Sequence, residues 1–187
     1  EKNKVQLINS TSQVPSDFFL FPNDEQIKNR VETWIAESCG EYIKIYDAYF
    51  SINDLSVLKY INPSARVDIF TLWKSQKGVT VGAPEIEEKY RLRWKELSDQ
   101  RPPETHIYII GVKPSGDGPI HDRFIISDEN GIAIGTSLSG LGNRDSTFRI
   151  LSSEDVNEIN NKFINPLLLG VNRIYHNEKI STYSFTL

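Results

Sequence analysis

Residues of the types that can act on a phosphate ester fall within one short stretch of this 187-residue chain. His121 and Arg123 alternate in a segment that we predict to be a β-strand, so both side chains are expected on the same face of a sheet. Asp128 ends this strand at a turn, and a second apolar strand leads to Thr136 and Ser137. An imidazole, a guanidinium and two hydroxyls are therefore expected to meet where the two strands end.

This combination suits attack on phosphorus without a metal ion. Histidine can attack phosphorus and carry the phosphoryl group covalently. Arginine binds phosphate oxygens through a bidentate fork and keeps its charge, and Thr136 and Ser137 can hydrogen-bond to the same phosphate. The set lacks a general acid for the leaving group, for which a second histidine would be best. His106 and His176 lie in other segments, and we predict that neither is catalytic.

The spacing of these residues resembles the signature of the phospholipase D superfamily. That signature is His-x-Lys, four residues, Asp, six residues, then Gly-Ser and a nearby Asn. This chain has His121, Arg123, Asp128 and Gly135-Thr136 at the same intervals. The resemblance implies a phospholipase D-like α/β fold and a phosphodiesterase that needs no metal. It also implies that one histidine forms a phosphohistidine, that a histidine from a second motif protonates the leaving oxygen, and that water resolves the intermediate.

Several positions depart from the family pattern. Arg123 stands where the family has lysine, and the two cations differ in geometry. The family asparagine falls at Leu138 or Ser139, so the Ser139 hydroxyl could replace one phosphate contact. Asp145 is the nearest candidate for the family carboxylate that orients the histidine. In this family the aspartate at the position of Asp128 supports the turn more than the chemistry, but we place Asp128 with His121 and Arg123 in the candidate catalytic set.

The chain carries one copy of the His-x-Arg motif. The resemblance therefore implies that the second motif comes from another subunit, and we expect a two-fold homodimer with both His121 side chains at the interface. Small single-motif members of the family are mostly nucleases, often effector domains of restriction or defence proteins. We accordingly predict a nuclease whose partner is nucleic acid, DNA in preference to RNA.

Other interpretations of the same residues stay open at this stage. His121 can be a structural histidine, and Arg123 can pair on the surface with Glu129 or Asp145. The domain can also be a degenerate one that binds nucleic acid or mediates dimerisation without turnover. A lipid phosphodiesterase ranks lower, because no amphipathic membrane-binding segment is evident.

The overall charge of the chain is acidic, with a formal net charge of −4. A dedicated nucleic-acid-binding module would usually be basic, but a local basic groove can exist on an acidic protein. Arg144 and Arg149 flank the motif and Lys113 lies upstream, so these cations could form a basic rim. Ordinary surface charge is the alternative.

The remaining composition limits the class of protein. No apolar run is long enough for a transmembrane helix. The single cysteine, Cys39, cannot form an internal disulfide, which suits a reducing cytoplasm, and we expect it to fill the core. Cys39, His106 and His176 show no metal-ligand spacing, so we expect no metal or other cofactor. The start at Glu1 and the lack of methionine predict a piece of a longer protein, folded as a single domain over 1–187.

The elements that must position the motif alternate between strands and helices, which predicts a mixed β-sheet flanked by helices. We predict strands at 5–8, 42–46, 66–73, 105–112, on both sides of a hairpin at Asn130-Gly131, at 146–151 and near 180–185. Predicted helices cover 24–39, the segment from Ser51 to Pro63, 84–100 and 153–169, and 9–23 is predicted to be a loop with an apolar plug. Asp47 and Tyr49 end a strand, where they either line the site or form a helix-entry turn.

Overall fold

The computed structural model describes residues 18–22, 25–76, 85–113, 115–128, 130–169 and 174–187. Its strands are β1 (Phe18–Phe21), β2 (Tyr42–Tyr46), β3 (Arg66–Leu72), β4 (Glu104–Gly111), β5 (Phe124–Ile126), β6 (Gly131–Ile134), β7 (Ser146–Leu151), β8 (Ile174–Tyr175), β9 (Glu178–Lys179) and β10 (Ser181–Thr186). Its longer helices are α1 (Gln26–Ser38), a 3-10 helix (Ile52–Tyr60), α2 (Glu85–Leu97) and α3 (Ser153–Ile159), which continues through a π-helical segment (Asn160–Ile164) into α4 (Asn165–Leu168).

Eight of the described strands form one mixed sheet in the order β1-β7-β6-β5-β2-β3-β4-β10. Strands β2, β3 and β4 are parallel, and the neighbours on both sides run antiparallel to them. One edge of the sheet therefore collects the ends of β2, β3, β4 and β6 together with the starts of β5 and β7. We call this the upper edge and the opposite one the lower edge. The chain segments that could form a site meet at the upper edge.

Alternation along the central strands supplies two cores, one on each face of the sheet. Ile43 and Ile45 of β2 pack with α1, the 3-10 helix and α2 on one face. Tyr46 of the same strand packs with α3, the π-helical segment and α4 on the other. Lys44 also faces this second side, where its Nζ donates to Asn160 Oδ1 at 2.8 Å. The sheet is thus covered on both faces, and the predicted mixed α/β class is confirmed.

Several local predictions match the structure closely. The strands predicted at 42–46 and 146–151 have those bounds, and the helix predicted at 24–39 spans Gln26–Ser38. The helix start predicted at Ser51 is a capping box, in which Asp54 Oδ2 accepts from the Ser51 N–H at 2.9 Å. These elements follow from hydrophobic periodicity and capping chemistry, which act within one turn or one strand.

Other local predictions need correction or lie outside the described residues. The predicted loop at 9–23 contains β1, which pairs antiparallel with β7, because the apolar run at Phe18–Phe21 completes the sheet beside that strand. The hairpin of β8 and β9 was not predicted; its two turn residues, His176 and Asn177, have positive φ, as a type I′ turn requires. The strand predicted at 5–8 lies outside the described residues. Within the described part of the chain, no helix has both the length and the apolar character to cross a bilayer.

Candidate functional site

A cleft of about 940 Å³ opens at the upper edge, on the face of the sheet that carries α2 and the 3-10 helix. Its described lining includes residues of β-strand ends and of both helices: Tyr49, Ile52, Lys74, Ile86, Lys89, Arg123, Gly135, Thr136, Ser137, Ser139, Arg144 and Asp145. Clefts outside the carboxyl ends of strands are the usual binding places of open α/β sheets. The structure therefore brings most of the predicted site residues to one cleft.

Arg123 lies just before β5 and points into this cleft. Only 18% of its side chain is exposed. Its Nε is buried and has no hydrogen-bond partner within the part of the chain that the structure describes. The nearest described carboxylate is Asp47, whose Oδ1 lies 3.8 Å from that Nε. The guanidinium is thus compensated by a nearby negative charge, yet its hydrogen-bonding capacity is not consumed by the described residues.

Asp47 directly follows β2 and is almost fully buried. Its Oδ1 accepts from the Tyr49 N–H at 2.9 Å, and its Oδ2 accepts from the Leu138 N–H at 3.1 Å. Burial raises the pKa of the Asp47 carboxyl, while these two N–H donors and the charge of Arg123 act in the opposite direction. Of the two roles left open by the sequence, Asp47 forms the turn toward the 3-10 helix, and Tyr49 lines the cleft.

The loop that follows β6 is held by two buried carboxylates. Asp47 binds it at Leu138, and Asp54, at the start of the 3-10 helix, accepts a backbone hydrogen bond from Ser139. Burial raises the pKa of Asp54 to about 6, although its hydrogen bonds from Ser51 and Ser139 lower it. Ser137 Oγ and Ser139 Oγ are 3.2 Å apart. Two of the predicted phosphate-binding hydroxyls therefore lie side by side on a positioned loop.

Gly135 is required where this loop leaves β6. A Cβ placed on Gly135 would come within 2.6 Å of Thr147 Oγ1 and 3.0 Å of the Thr147 backbone nitrogen. The next residue, Thr136, is buried and lines the cleft. The Gly-Thr pair of the motif therefore allows β6 to pass close to β7 before the chain turns into the cleft.

His121 is placed differently from the sequence prediction. It does not belong to β5, which begins at Phe124, and 92% of its side chain is exposed. Its described polar contact is Asp122, with Nδ1 3.4 Å from Oδ1, and it is absent from the described lining of the cleft. The predicted same-face pair with Arg123 is therefore wrong. Strand alternation applies only where a partner strand holds the backbone extended, and here that pairing ends at the Ile134 N–H bond to the Arg123 carbonyl.

Asp128 is separated from the other predicted site residues. It lies in the turn between β5 and β6 at the lower edge, where its Oδ2 accepts from the Glu41 N–H at 3.4 Å. The three residues of β5 alone separate it from Arg123 by about 10 Å. The expectation that Asp128 acts beside Arg123 is corrected accordingly: its contacts are those of a turn residue.

The charged lining of the cleft is mainly cationic. The described lining contains four cationic side chains and one carboxylate: Lys74, Lys89, Arg123 and Arg144, with Asp145. Lys74 also pairs with Asp117, with Nζ 2.7 Å from Oδ1, and this contact raises the pKa of the lysine. The cleft therefore concentrates positive charge on a chain whose net charge is −4.

Sequence reasoning found only part of this cationic set. Arg144 was predicted, whereas Arg149 pairs with Asp155 at 3.0 Å and Lys113 is also absent from the described lining. Lys74 and Lys89 were missed. Lys74 could have been found, because it follows β3 at the edge where parallel strands place ligands. Within the described residues, no cluster of three or more His, Cys, Asp or Glu side chains could hold a metal ion.

Comparisons with known proteins establish the fold. No family profile matches the chain, and no curated protein matches it. Among solved structures, NucT from Helicobacter pylori superposes with a TM-score of 0.54 at 13% identity, over 81% of this chain and 94% of NucT. TrmBL2, an archaeal chromatin protein, gives a TM-score of 0.46 at 12% identity, over 83% of this chain and 54% of that one. The likeness to NucT shows that this chain has a phospholipase D-like fold.

Proposed function

We propose that this chain is a metal-independent phosphodiesterase that cleaves nucleic acid, with His121 as the nucleophile and Arg123 as the phosphate clamp. One observation carries the proposal: Arg123 and the hydroxyls of Thr136, Ser137 and Ser139 line one cationic cleft. The phospholipase D-like fold and the spacing from His121 to Gly135-Thr136 support the same reaction class.

Nucleic acid is the phosphodiester that fits this cleft best. A polyanion gains from several cations placed along one groove, because each neutralised phosphate releases counterions. Lys74, Lys89 and Arg144 supply such charges in addition to Arg123. A chain with a net charge of −4 would otherwise repel nucleic acid, so the positive cleft also selects where the substrate binds.

The proposed reaction proceeds in two displacements. A ring nitrogen of His121 attacks phosphorus, a P–N bond forms, and the bond to the leaving oxygen breaks. The leaving oxygen takes a proton from the His121 imidazolium of a second copy of the chain. Water then attacks phosphorus and gives a proton to the now neutral His121 imidazole of the second copy, the P–N bond breaks, and the phosphate stays on the other product strand. Throughout, Arg123 and the hydroxyls stabilise the charge on the non-bridging oxygens.

The exposure of His121 supports a site completed by a second copy. Because its side chain is 92% exposed and lies outside the described cleft lining, His121 is open to contact by substrate or by another subunit. A two-fold pairing across the upper edges would bring two such histidines to one phosphate. Sedimentation velocity at micromolar concentration, with and without an oligonucleotide, tests this point. A strict monomer under both conditions rules out the two-histidine site, unless a different partner chain supplies the second motif.

Cleavage of labelled single- and double-stranded DNA and RNA in excess EDTA is the direct test. The wild type should cut at least one of these substrates, and His121→Ala should not. His106→Gln is the matched control, because His106 lies on β4, where it contacts Glu104 and Thr186 rather than the cleft. Cleavage that EDTA abolishes, or that His121→Ala retains, contradicts the proposal.

A degenerate domain that binds nucleic acid without turnover is the second candidate. The specific observation in its favour is that His121 does not line the cleft beside Arg123. This function predicts that the wild type binds an oligonucleotide but leaves it intact under every condition tested. It also predicts that His121→Ala binds as tightly as the wild type, while Arg123→Ala binds more weakly.

A further inference from the structure

Tyr49 is an aromatic side chain left open at the rim of the cleft. It follows β2 at the upper edge, and 48% of the residue is exposed. Its backbone N–H donates to Asp47, so the residue is anchored through its main chain and the ring is not needed for this bond. A large, half-exposed ring that lines a cleft offers an aromatic face to a molecule bound there, as tyrosines at interfaces do.

Two cations lie within cation–π distance of the Tyr49 ring. Arg123 Cζ lies 5.3 Å from the ring centroid, and Lys74 Nζ lies 5.9 Å from it. For comparison, Arg30 Cζ approaches the Phe19 ring to 4.1 Å, which is a packed contact. Both distances are within the cation–π range, and Tyr49 still has 48% of its surface exposed, so the two cations border part of the ring and leave the rest open to solvent.

We infer that Tyr49 is a stacking platform for an unpaired nucleotide base, whose adjoining phosphate binds Arg123. This inference rests on the proposed function and deepens it, because it names the form of the substrate. Alternation of aromatic faces with cations is how proteins hold single-stranded nucleic acid: bases stack on rings and phosphates meet the charges. A base inside a duplex already has neighbours on both faces, so the platform favours a strand that is single or locally unpaired.

Binding measured by fluorescence anisotropy tests the platform separately from cleavage. The probes are a short labelled single-stranded DNA, the same strand in a duplex, and a strand of equal length made of abasic nucleotides. All variants are made in the His121→Ala background in the presence of EDTA, so that no probe is consumed. Tyr49→Phe keeps the ring and Tyr49→Leu removes it. Tyr60→Leu is the matched control, because Tyr60 is similarly exposed but lies outside the described cleft lining.

The stacking site predicts a distinct pattern. Tyr49→Leu should weaken binding of the intact single strand by about tenfold, which is the scale of one base stacked on a ring. Tyr49→Phe should stay within about twofold of the parent because the stacking face is kept, and Tyr60→Leu should do so because Tyr60 lies outside the described cleft lining. For the abasic strand, Tyr49→Leu and Tyr49→Phe should bind alike, because there is no base to stack.

Three results overturn the inference. They are an equal loss on intact and abasic strands, no loss on either, and no measurable binding of the intact strand by the parent. Failure of the proposed function is recognised separately. If the wild type cuts no nucleic acid but the variants show the predicted binding pattern, the stacking site is supported and the phosphodiesterase is contradicted. If the wild type cuts nucleic acid but Tyr49→Leu and Tyr49→Phe bind every probe with equal affinity, the phosphodiesterase is supported and the stacking site is contradicted.

Discussion

Asp47 and Arg123 meet at the upper edge of the sheet, with Asp47 Oδ1 3.8 Å from Arg123 Nε. Both side chains are largely buried, and within the described residues this contact is the ion pair that Arg123 makes. Asp47 also accepts the Leu138 N–H. One carboxylate therefore joins the end of β2, the start of β5 and the loop after β6. The position of the guanidinium and that of the loop are consequently coupled.

Removal of the Asp47 carboxylate should destabilise the protein strongly. Asp47→Ala leaves Arg123 without its counter-charge and takes the acceptor from two backbone N–H groups, so we expect a loss of roughly 3 kcal/mol or more in the free energy of unfolding. Asp47→Asn keeps one of the two acceptor oxygens, so its free energy of unfolding should fall by less. Urea denaturation monitored by circular dichroism measures both. Asp122→Ala, at an exposed carboxylate, is the control, and an equal effect of Asp47→Ala and Asp122→Ala would contradict the role of Asp47.

Loss of the Arg123 guanidinium should lower the rate of nucleic acid cleavage. If the proposed function holds, Arg123→Ala should lower kcat/KM for nucleic acid cleavage by about a hundredfold or more, the usual effect of removing one group that stabilises transition-state charge. Arg149→Ala is the matched control, because Arg149 pairs with Asp155 away from the cleft. Initial rates at several oligonucleotide concentrations separate kcat from KM. Equal cleavage rates for Arg123→Ala and Arg149→Ala would show that Arg123 does not act on the phosphate.

Asp128 should be dispensable for chemistry despite its place in the motif. It lies at the lower edge and its contact with the Glu41 N–H is long, at 3.4 Å. Asp128→Asn should therefore leave kcat/KM within about twofold of the wild type and lower the free energy of unfolding by less than about 1 kcal/mol. The same cleavage and denaturation assays measure both quantities. A large loss of cleavage by a stably folded Asp128→Asn would show that the two edges are functionally connected.

Asp54 should make stability depend on pH between about 4 and 7. Burial raises the pKa of its carboxyl from 3.8 to about 6, so the folded state holds a proton that the unfolded state has released. The stability that this proton contributes is complete below pH 3.8 and is lost as the pH rises through 6. Asp54→Asn has no such proton. From pH 4 to 7 the free energy of unfolding of the wild type should therefore fall, relative to that of Asp54→Asn, by on the order of 2 to 3 kcal/mol. Urea denaturation across this range measures the difference, and a constant difference would contradict the assignment.

Local elements could be predicted because their causes lie within a few residues. The alternating apolar run at Tyr42–Tyr46 and the paired Ser51 and Asp54 each act over one strand or one helical turn. The strand Phe18–Phe21 was not predictable in this way, since its run of apolar residues carries no alternation and only pairing with β7 makes it extended. The π-helical segment Asn160–Ile164 likewise has no local signal that we recognise.

The candidate site was also predictable only in part. The residue types and spacing at His121, Arg123 and Gly135-Thr136 led to a predicted phospholipase D-like α/β fold, which is confirmed, and to phosphodiester chemistry, which stays a prediction. The spacing was misleading for Asp128, because a three-residue strand carries the chain from one edge of the sheet to the other. Asp47 contacts Arg123 and the loop after β6 from the end of β2, and Lys74 lines the cleft after β3. Their contributions depend on strand pairing and not on their spacing from the motif.

The sequence by itself determined which chemical groups this protein carries and which local elements they sit beside. The tertiary structure decided which of those groups share a cleft, because strand order and direction set which chain ends meet at an edge. Pairing between β2 and β5 brought Asp47 to Arg123 across 76 positions of sequence. The end of the pairing between β5 and β6 left His121 exposed outside the described cleft lining. Long-range hydrogen bonding between strands thus turned a linear motif into a divided one.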